Sequence, residues 1–209
     1  MSLSFENISF NYRNEFSKEK QIFSDFSLNI YDGEKVGVFG KIGSGKSTLI
    51  KLITGEEKPH KGKILFQNQD IKKMKNPFEN ISILFQKPEK QFVFPSIKDE
   101  VNFISEGQRY AGVRSRIDEL AKRFNLELKL YLNRDIFSVS SGELRLIQII
   151  LVLSSNKPYL ILDDPFLFLD KAQIKVFKKI LLSHNDSTIL IFARNRVGFE
   201  ELVNREVIL

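Results

Sequence analysis

The sequence contains no cysteine, which removes disulfide stapling, cysteine-ligated zinc and thiol nucleophiles from its chemistry. Histidine is nearly as scarce. His60 and His184 are the only two, too few for a multi-histidine metal centre. Long apolar runs are missing as well: Ile149 to Leu153 is as long as any in the chain, far short of the roughly 18 residues that suggest a spanning helix. The chain is therefore expected not to cross a bilayer by itself. The opening stretch MSLSFENISF has no basic region followed by an apolar one, which argues against a secretory signal. Fixed-period repeats, low-complexity tracts and Pro/Gly/Ser linkers are also absent.

What remains is a 209-residue chain, 42% hydrophobic and 28% charged, sized for one domain with at most a small subdomain and a substantial core. Its net charge is +6, but the lysines are scattered and no aromatic–basic RNA-binding motif accompanies them. A solvated, lysine-rich surface accounts for the charge, and no nucleic-acid partner is expected.

Leu3 to Tyr12 reads as a strand with Phe5, Ile8 and Phe10 in irregular alternation, and Phe26 to Tyr31 as a second, closed by the turn Asp32-Gly33. Lys35 to Phe39 is a short apolar strand; a glycine-rich loop follows and opens a helix over Ser47 to Thr54. Ile64 to Phe66 and Ile81 to Phe85 are further strands. From about 87 to 135 the character turns helical, as in Val113 to Phe124. Buried strands return at Tyr159 to Leu162 and Thr188 to Phe192, each preceded by a helix (Glu143 to Leu153, Lys171 to Leu182), and Glu206 to Leu209 is a last strand. The expectation is one domain over 1–209: an α/β core of about 1–86 and 136–209, interrupted by a helical subdomain at about 87–135.

Gly40-Lys41-Ile42-Gly43-Ser44-Gly45-Lys46-Ser47-Thr48 satisfies GxxxxGK[ST] between a strand and a helix, the context of a phosphate-binding P-loop. Glycines let successive N–H groups turn inward toward phosphate oxygens, and the helix start adds its positive dipole end. Lys46 supplies a mobile charge for the β- and γ-phosphates, and the Ser47 hydroxyl a Mg²⁺ ligand. Tyr159 to Leu162 then delivers Asp163 and Asp164 to a strand end. Asp163 is a candidate for Mg²⁺, directly or through water; Asp164 is a candidate to orient or deprotonate an attacking water.

Val139-Ser140-Ser141-Gly142-Glu143, just ahead of a helix and of the acidic strand, narrows this P-loop NTPase pattern. It resembles the LSGGQ signature of ATP-binding cassette (ABC) proteins, with Ser141 for a Gly and Glu143 for Gln. The resemblance spans essentially the whole chain and implies a RecA-like core with a mixed sheet, an antiparallel β portion and an inserted helical subdomain. It implies that Gln86 is the glutamine that touches Mg²⁺, that Pro165 to Asp170 is the D-loop, and that Tyr12 stacks on adenine; packing is the alternative for that tyrosine. It further implies ATP and Mg²⁺ as cofactors and head-to-tail dimers, homo- or heterodimeric. There the Ser140, Ser141, Gly142, Glu143 element of one chain faces the nucleotide of the other. Phe85-Gln86-Lys87-Pro88-Glu89-Lys90-Gln91-Phe92, followed by Pro95-Ser96-Ile97-Lys98-Asp99-Glu100-Val101, resembles the energy-coupling-factor subgroup, importers of vitamins or metal ions. Gln91 then stands near the groove for transmembrane subunits, and the chain is expected to be cytoplasmic and peripheral on the inner face of the membrane.

Three positions depart from the family pattern. Asp164 stands where a glutamate is usual, retracting the carboxylate by about 1.5 Å, one C–C bond. Arg194 occupies the place of the switch histidine and cannot shuttle a proton. Ile42 replaces a common Asn. Asp164 and Arg194 together point to a site that binds ATP and hydrolyses it poorly, with harmless drift as the alternative; Ile42 weighs less. Relatives in the subgroup carry a C-terminal extension that does not follow Leu209. The competing reading of the whole is a non-hydrolysing regulatory or non-transport ABC protein.

Overall fold

The computed structural model describes residues 3–14, 17–76, 79–106 and 112–209; positions 107–111 of the expected helical stretch lie outside the described residues. Two compact units emerge, Met1–Ile81 with Asp186–Leu209, and Ser82–Asn185.

In the first unit, β1 (Leu3–Asn14) pairs antiparallel with β2 (Ser17–Ile30) and with β4 (Lys61–Phe66), and β5 (Gln69–Asp70) completes a four-stranded sheet in the order β2-β1-β4-β5. The irregular alternation of β1 has a cause. Asn7 adopts φ 50 and the register shifts between Phe5 and Ile8, so two residues three apart both reach the core. β2 begins well before the expected Phe26. Its first residues, Ser17 to Lys20, are polar, and a polar stretch at a sheet edge carries no hydrophobic signal to read.

The same unit holds a parallel set in which β3 (Lys35–Phe39) lies between β8 (Thr188–Ala193) and β9 (Arg205–Ile208). All five residues of β3 and all six of β8 are buried, as a strand with partners on both edges and cover on both faces requires. Arg205 locks β9 in place: its guanidinium donates to both Glu34 carboxylate oxygens at 2.6 and 2.9 Å and to the Asn29 carbonyl at 2.5 Å. Helix α1 (Lys46–Thr54) buries Leu49, Ile50, Leu52 and Ile53 and ends at Gly55, φ 74.

The second unit contains β6 (Ile81–Leu84) and β7 (Tyr159–Asp163), adjacent and wholly buried, with α2 (Ile97–Glu106), α3 (Val113–Arg123), α4 (Ser141–Ser154) and α5 (Lys171–Ser183). Every α4 residue from Leu144 to Ser154 is buried, so this helix is the axis of its unit rather than a surface amphipath. The loop before α2 is tied by a buried carboxylate: Glu100, 3% exposed, accepts from the Val93 and Phe94 amides at 2.9 and 3.0 Å.

Candidate functional site

The loop after β3 is shaped by backbone positions that only glycine fills without cost. Gly43 and Gly45 take φ 82 and 109, in the region that disfavours a Cβ. Gly45 precedes α1 with no side-chain cap. A Cβ at Gly45 would meet Phe23 Cζ at 2.6 Å and Ile22 Cγ2 at 2.9 Å. The Lys46 ammonium reaches back across the loop, donating to the Gly40 carbonyl at 2.5 Å and the Lys41 carbonyl at 3.0 Å. Ser44 Oγ is buried without a hydrogen-bond partner among the described residues, a deficit that an added acceptor or donor would remove. Ser47 is exposed in the first turn of α1, and Thr48 is buried, its Oγ1 3.4 Å from the Tyr12 hydroxyl.

Tyr12 thus lies against the helix that the loop opens, with Lys51 Nζ 5.7 Å from its ring centroid and Phe10 edge-on at 4.9 Å. A cavity of about 670 Å³ on this unit is lined by Gly40 to Ser44, the end of β9, Arg194 and Arg196. Arg194 is exposed immediately after β8, beside the loop. Ile42 at the loop tip is 88% exposed.

In the second unit, Gln86 and Asp164, two residues that sequence had placed in separate motifs, meet directly. Gln86 Nε2 donates to Asp164 Oδ2 at 2.7 Å. Asp163 ends β7 at 8% exposure, and Asp164 turns the chain out of the strand with φ 43, a conformation Asp tolerates better than most residues. Sequence reasoning missed what lies behind them. Arg145, fully buried in α4, donates to the carbonyls of Phe85 (2.6 Å), Asp163 (3.2 Å) and Asp164 (2.9 Å) and to Gln148 Oε1 (2.8 Å). Burial pushes its pKa down to about 10 against the opposing pull of Asp163 and Asp164, so it is still a cation at neutral pH. Gln148 in turn donates to the Phe85 carbonyl and to Gln91 Oε1, which also accepts from the Phe85 amide. Gln91 is therefore built into the interior of this loop through its carbonyl oxygen. The available signal was an arginine and a glutamine inside a helix with no polar face.

The Ser140 to Glu143 element is a complete capping box at the start of α4. Ser140 Oγ accepts from the Glu143 amide at 3.4 Å, and the Glu143 carboxylate accepts from the Ser140 amide at 3.2 Å. The carboxylate also accepts from the Ser140 hydroxyl at 2.5 Å and the Tyr131 hydroxyl at 2.6 Å. Those hydroxyls hold Glu143 below the usual carboxylate range, and the same contact raises the Tyr131 phenol. Tyr131 had no place in the sequence reading. Ser141 is exposed, and a Cβ on Gly142 would meet the Phe168 carbonyl at 3.4 Å. Asp170 caps α5 through a second box with Gln173. Among the described residues, no helix is long and apolar enough to cross a membrane and no group of three His, Cys, Asp or Glu is arranged to hold a metal.

Comparison with known proteins identifies the family and the fold. A family model described as ABC transporter matches residues 23–167. A putative ABC transporter ATP-binding protein of Methanosarcina mazei is 32% identical over 215 residues, covering 100% of this chain and 74% of its own length. The energy-coupling factor transporter ATP-binding protein EcfA2 of Clostridium tetani is 30% identical over 222 residues, covering 100% of this chain and 76% of its own. A solved dimeric ATP-binding cassette, in a post-hydrolysis state bound to ADP and Pi, shares the fold with TM-score 0.81 at 21% identity, over 99% of this chain and 94% of that one. The chain belongs to the ABC transporter family as an ATP-binding subunit, with relatives among the energy-coupling factor transporters.

Proposed function

We propose that this chain binds Mg-ATP at the loop Gly40 to Thr48 and hydrolyses it slowly, as the energy-supplying subunit of a membrane importer for a vitamin or metal ion. The observation that carries the reading is the phosphate cradle itself: a loop of left-handed glycines, a helix start with no side-chain cap, a lysine folded across the loop, and the buried Ser44 hydroxyl, which has no hydrogen-bond partner among the described residues. That donor set fits a polyphosphate. Lys46 exchanges two backbone carbonyls for phosphate oxygens, and Tyr12 packs on adenine. On the phosphate loop Ser47 offers an oxygen ligand that suits magnesium, which when bound neutralises phosphate charge; in the second unit Asp163 and Gln86 carry oxygens of the same kind. Asp164 orients the attacking water, and Arg194 meets phosphate as a fixed cation in place of a proton-shuttling group.

The family relation supports a dimer, with the partner an identical or a different ABC chain, and transmembrane subunits that hold the assembly on the inner membrane face. Ser140, Ser141, Gly142 and Glu143 are then this chain's contribution to the partner's nucleotide. The competing reading, a regulatory ABC protein without turnover, draws on Asp164 and Arg194. Calorimetry on Lys46→Ala tests the binding step. Loss of charge-assisted contacts worth about 1.5–3 kcal/mol should weaken Mg-ATP roughly tenfold to a hundredfold; equal affinity would remove the loop from the mechanism. Purification from membranes, with identification of every bound subunit, tests the transport role. Recovery with soluble partners alone would favour the regulatory reading.

A further inference from the structure

Arg145 is a fully buried cation with no part in the function proposed above. A fully buried guanidinium is costly unless its donors are used; here each terminal nitrogen makes two hydrogen bonds, while Nε has no partner among the described residues. Three of the four acceptors are main-chain carbonyls at the ends of two strands, Phe85 just past β6 and Asp163 and Asp164 closing β7. These are the segments that carry Gln86 and the acidic pair. The planar fork of arginine can span acceptors on two strands at once, whereas an ammonium is a single point of contact. Gln148, one turn further along α4, fixes the fork through Oε1 and adds a second donor to the Phe85 carbonyl. Gln91 closes the circuit, accepting from Gln148 and from the Phe85 amide.

We propose that Arg145, backed by Gln148 and Gln91, is a positioning residue. It sets the Asp164 carboxylate and the Gln86 amide against each other and ties both to the helix that begins with Ser140 to Glu143. The inference rests on the ATP-dependent reading above for its catalytic consequence only. Asp164 at φ 43 leaves β7 through a turn in which its carbonyl takes both the Leu167 amide at 3.0 Å and Arg145. Removing the guanidinium frees that carbonyl and the Phe85 carbonyl to tilt, and the carboxylate of Asp164 moves with its own backbone. A shift of about 1 Å at a water-orienting group is enough to lower turnover on the order of a hundredfold. Arg145 lies in the second turn of α4, so the helix that begins at Ser140 to Glu143 also carries the group that holds this chain's Phe85 and Asp164 carbonyls.

The test compares wild type, Arg145→Met (similar length, no donors), Arg145→Lys and Gln148→Met in the full chain. Amide hydrogen exchange read by NMR follows Phe85 and Leu167, with the α1 amides as reference. Arg145→Met and Gln148→Met should speed exchange at Phe85 at least tenfold, and Arg145→Met should do the same at Leu167, with α1 unchanged. Arg145→Lys should fall between. Turnover should drop tenfold or more with KM and the Mg-ATP Kd within about threefold, as expected when a group acts in the transition state and not in binding. Exchange that is unchanged, or that rises equally in α1, overturns the proposal, as does unchanged turnover in a variant whose exchange has risen. Exchange that behaves as described in a wild-type protein that neither binds nor hydrolyses ATP would instead refute the ATPase reading and leave the bracket standing.

Discussion

Gly45→Ala is the substitution whose cost can be worked out most fully from the geometry. The residue sits at φ 109 and ψ 0, where an L side chain costs about 1–2 kcal/mol. The new Cβ would also lie 2.6 Å from Phe23 Cζ and 2.9 Å from Ile22 Cγ2, and Phe23 is only 5% exposed, so the ring must push into packed core. Overpacking of that kind costs about 1–3 kcal/mol. The sum is about 2–5 kcal/mol, and at about 2–4 °C per kcal/mol for a chain of this size the melting temperature should fall by about 4–20 °C. Gly33 supplies the control: φ 75 with nothing within 4 Å of an added Cβ. Gly33→Ala should lose only the backbone part, about 2–8 °C. Thermal unfolding of both variants, with and without Mg-ATP, measures the difference. Saturating ATP at a hundred times Kd should return about 2.7 kcal/mol to wild type and Gly33→Ala, and less to Gly45→Ala. A Gly45→Ala protein no less stable than Gly33→Ala would show that Phe23 and Ile22 yield freely and that the packing argument is wrong.

Restoring Asp164→Glu together with Arg194→His should raise turnover by about an order of magnitude or more, measured with a competent partner chain; equal rates before and after would make both residues harmless variants. Tyr131→Phe removes a hydroxyl that lowers the Glu143 pKa. Its stabilising effect is present above the ordinary carboxylate value of 4.5 and is lost as pH falls through the lower folded value. With both groups near solvent the loss at neutral pH should stay below about 1 kcal/mol, or about 2–4 °C, and vanish in acid; a difference that grows in acid would refute the assignment. Glu34→Gln breaks the two-point contact with Arg205, whose partner carboxylate is only 16% exposed. It should cost about 1–2 kcal/mol in denaturant unfolding, and no change would mean that β9 is held by its ladder alone.

The parts of this protein that were legible in its sequence are those written in local pattern. Lys35 to Thr48 spelled strand, loop and helix in order, and Tyr159 to Asp164 spelled a buried strand with acids at its end; both lie as expected. The Ser140 to Glu143 element was legible as a stretch just ahead of a helix, and its capping box emerged only in the fold. The sequence did not disclose relations that need the third dimension. Arg145 and Gln148 sit among leucines and isoleucines, and only the fold reveals that strand-end carbonyls surround them. Tyr131 reaches Glu143 across a loop, and Glu100, a charged residue near the start of a helix, is turned inward onto two amides. Gln91 is placed near a groove for transmembrane subunits by family resemblance alone, which does not disclose that its carbonyl oxygen serves the interior. Buried polar groups are invisible to hydrophobic periodicity by construction, since they break the pattern that locates the core.

The placement of β3 between β8 and β9 has a consequence for biogenesis. The strand that launches the phosphate loop is made early, at residues 35–39, but both of its neighbours come from 188–208. At about 5–20 residues per second, a ribosome leaves β3 without either edge partner for on the order of ten seconds or more. Throughout that interval Val36, Val38 and Phe39, all at most 2% exposed in the folded chain, form an apolar segment with open edges and need protection from misassociation. A chain cut short by its last two dozen residues would carry the whole phosphate-binding motif and still lack the strands that hold it flat.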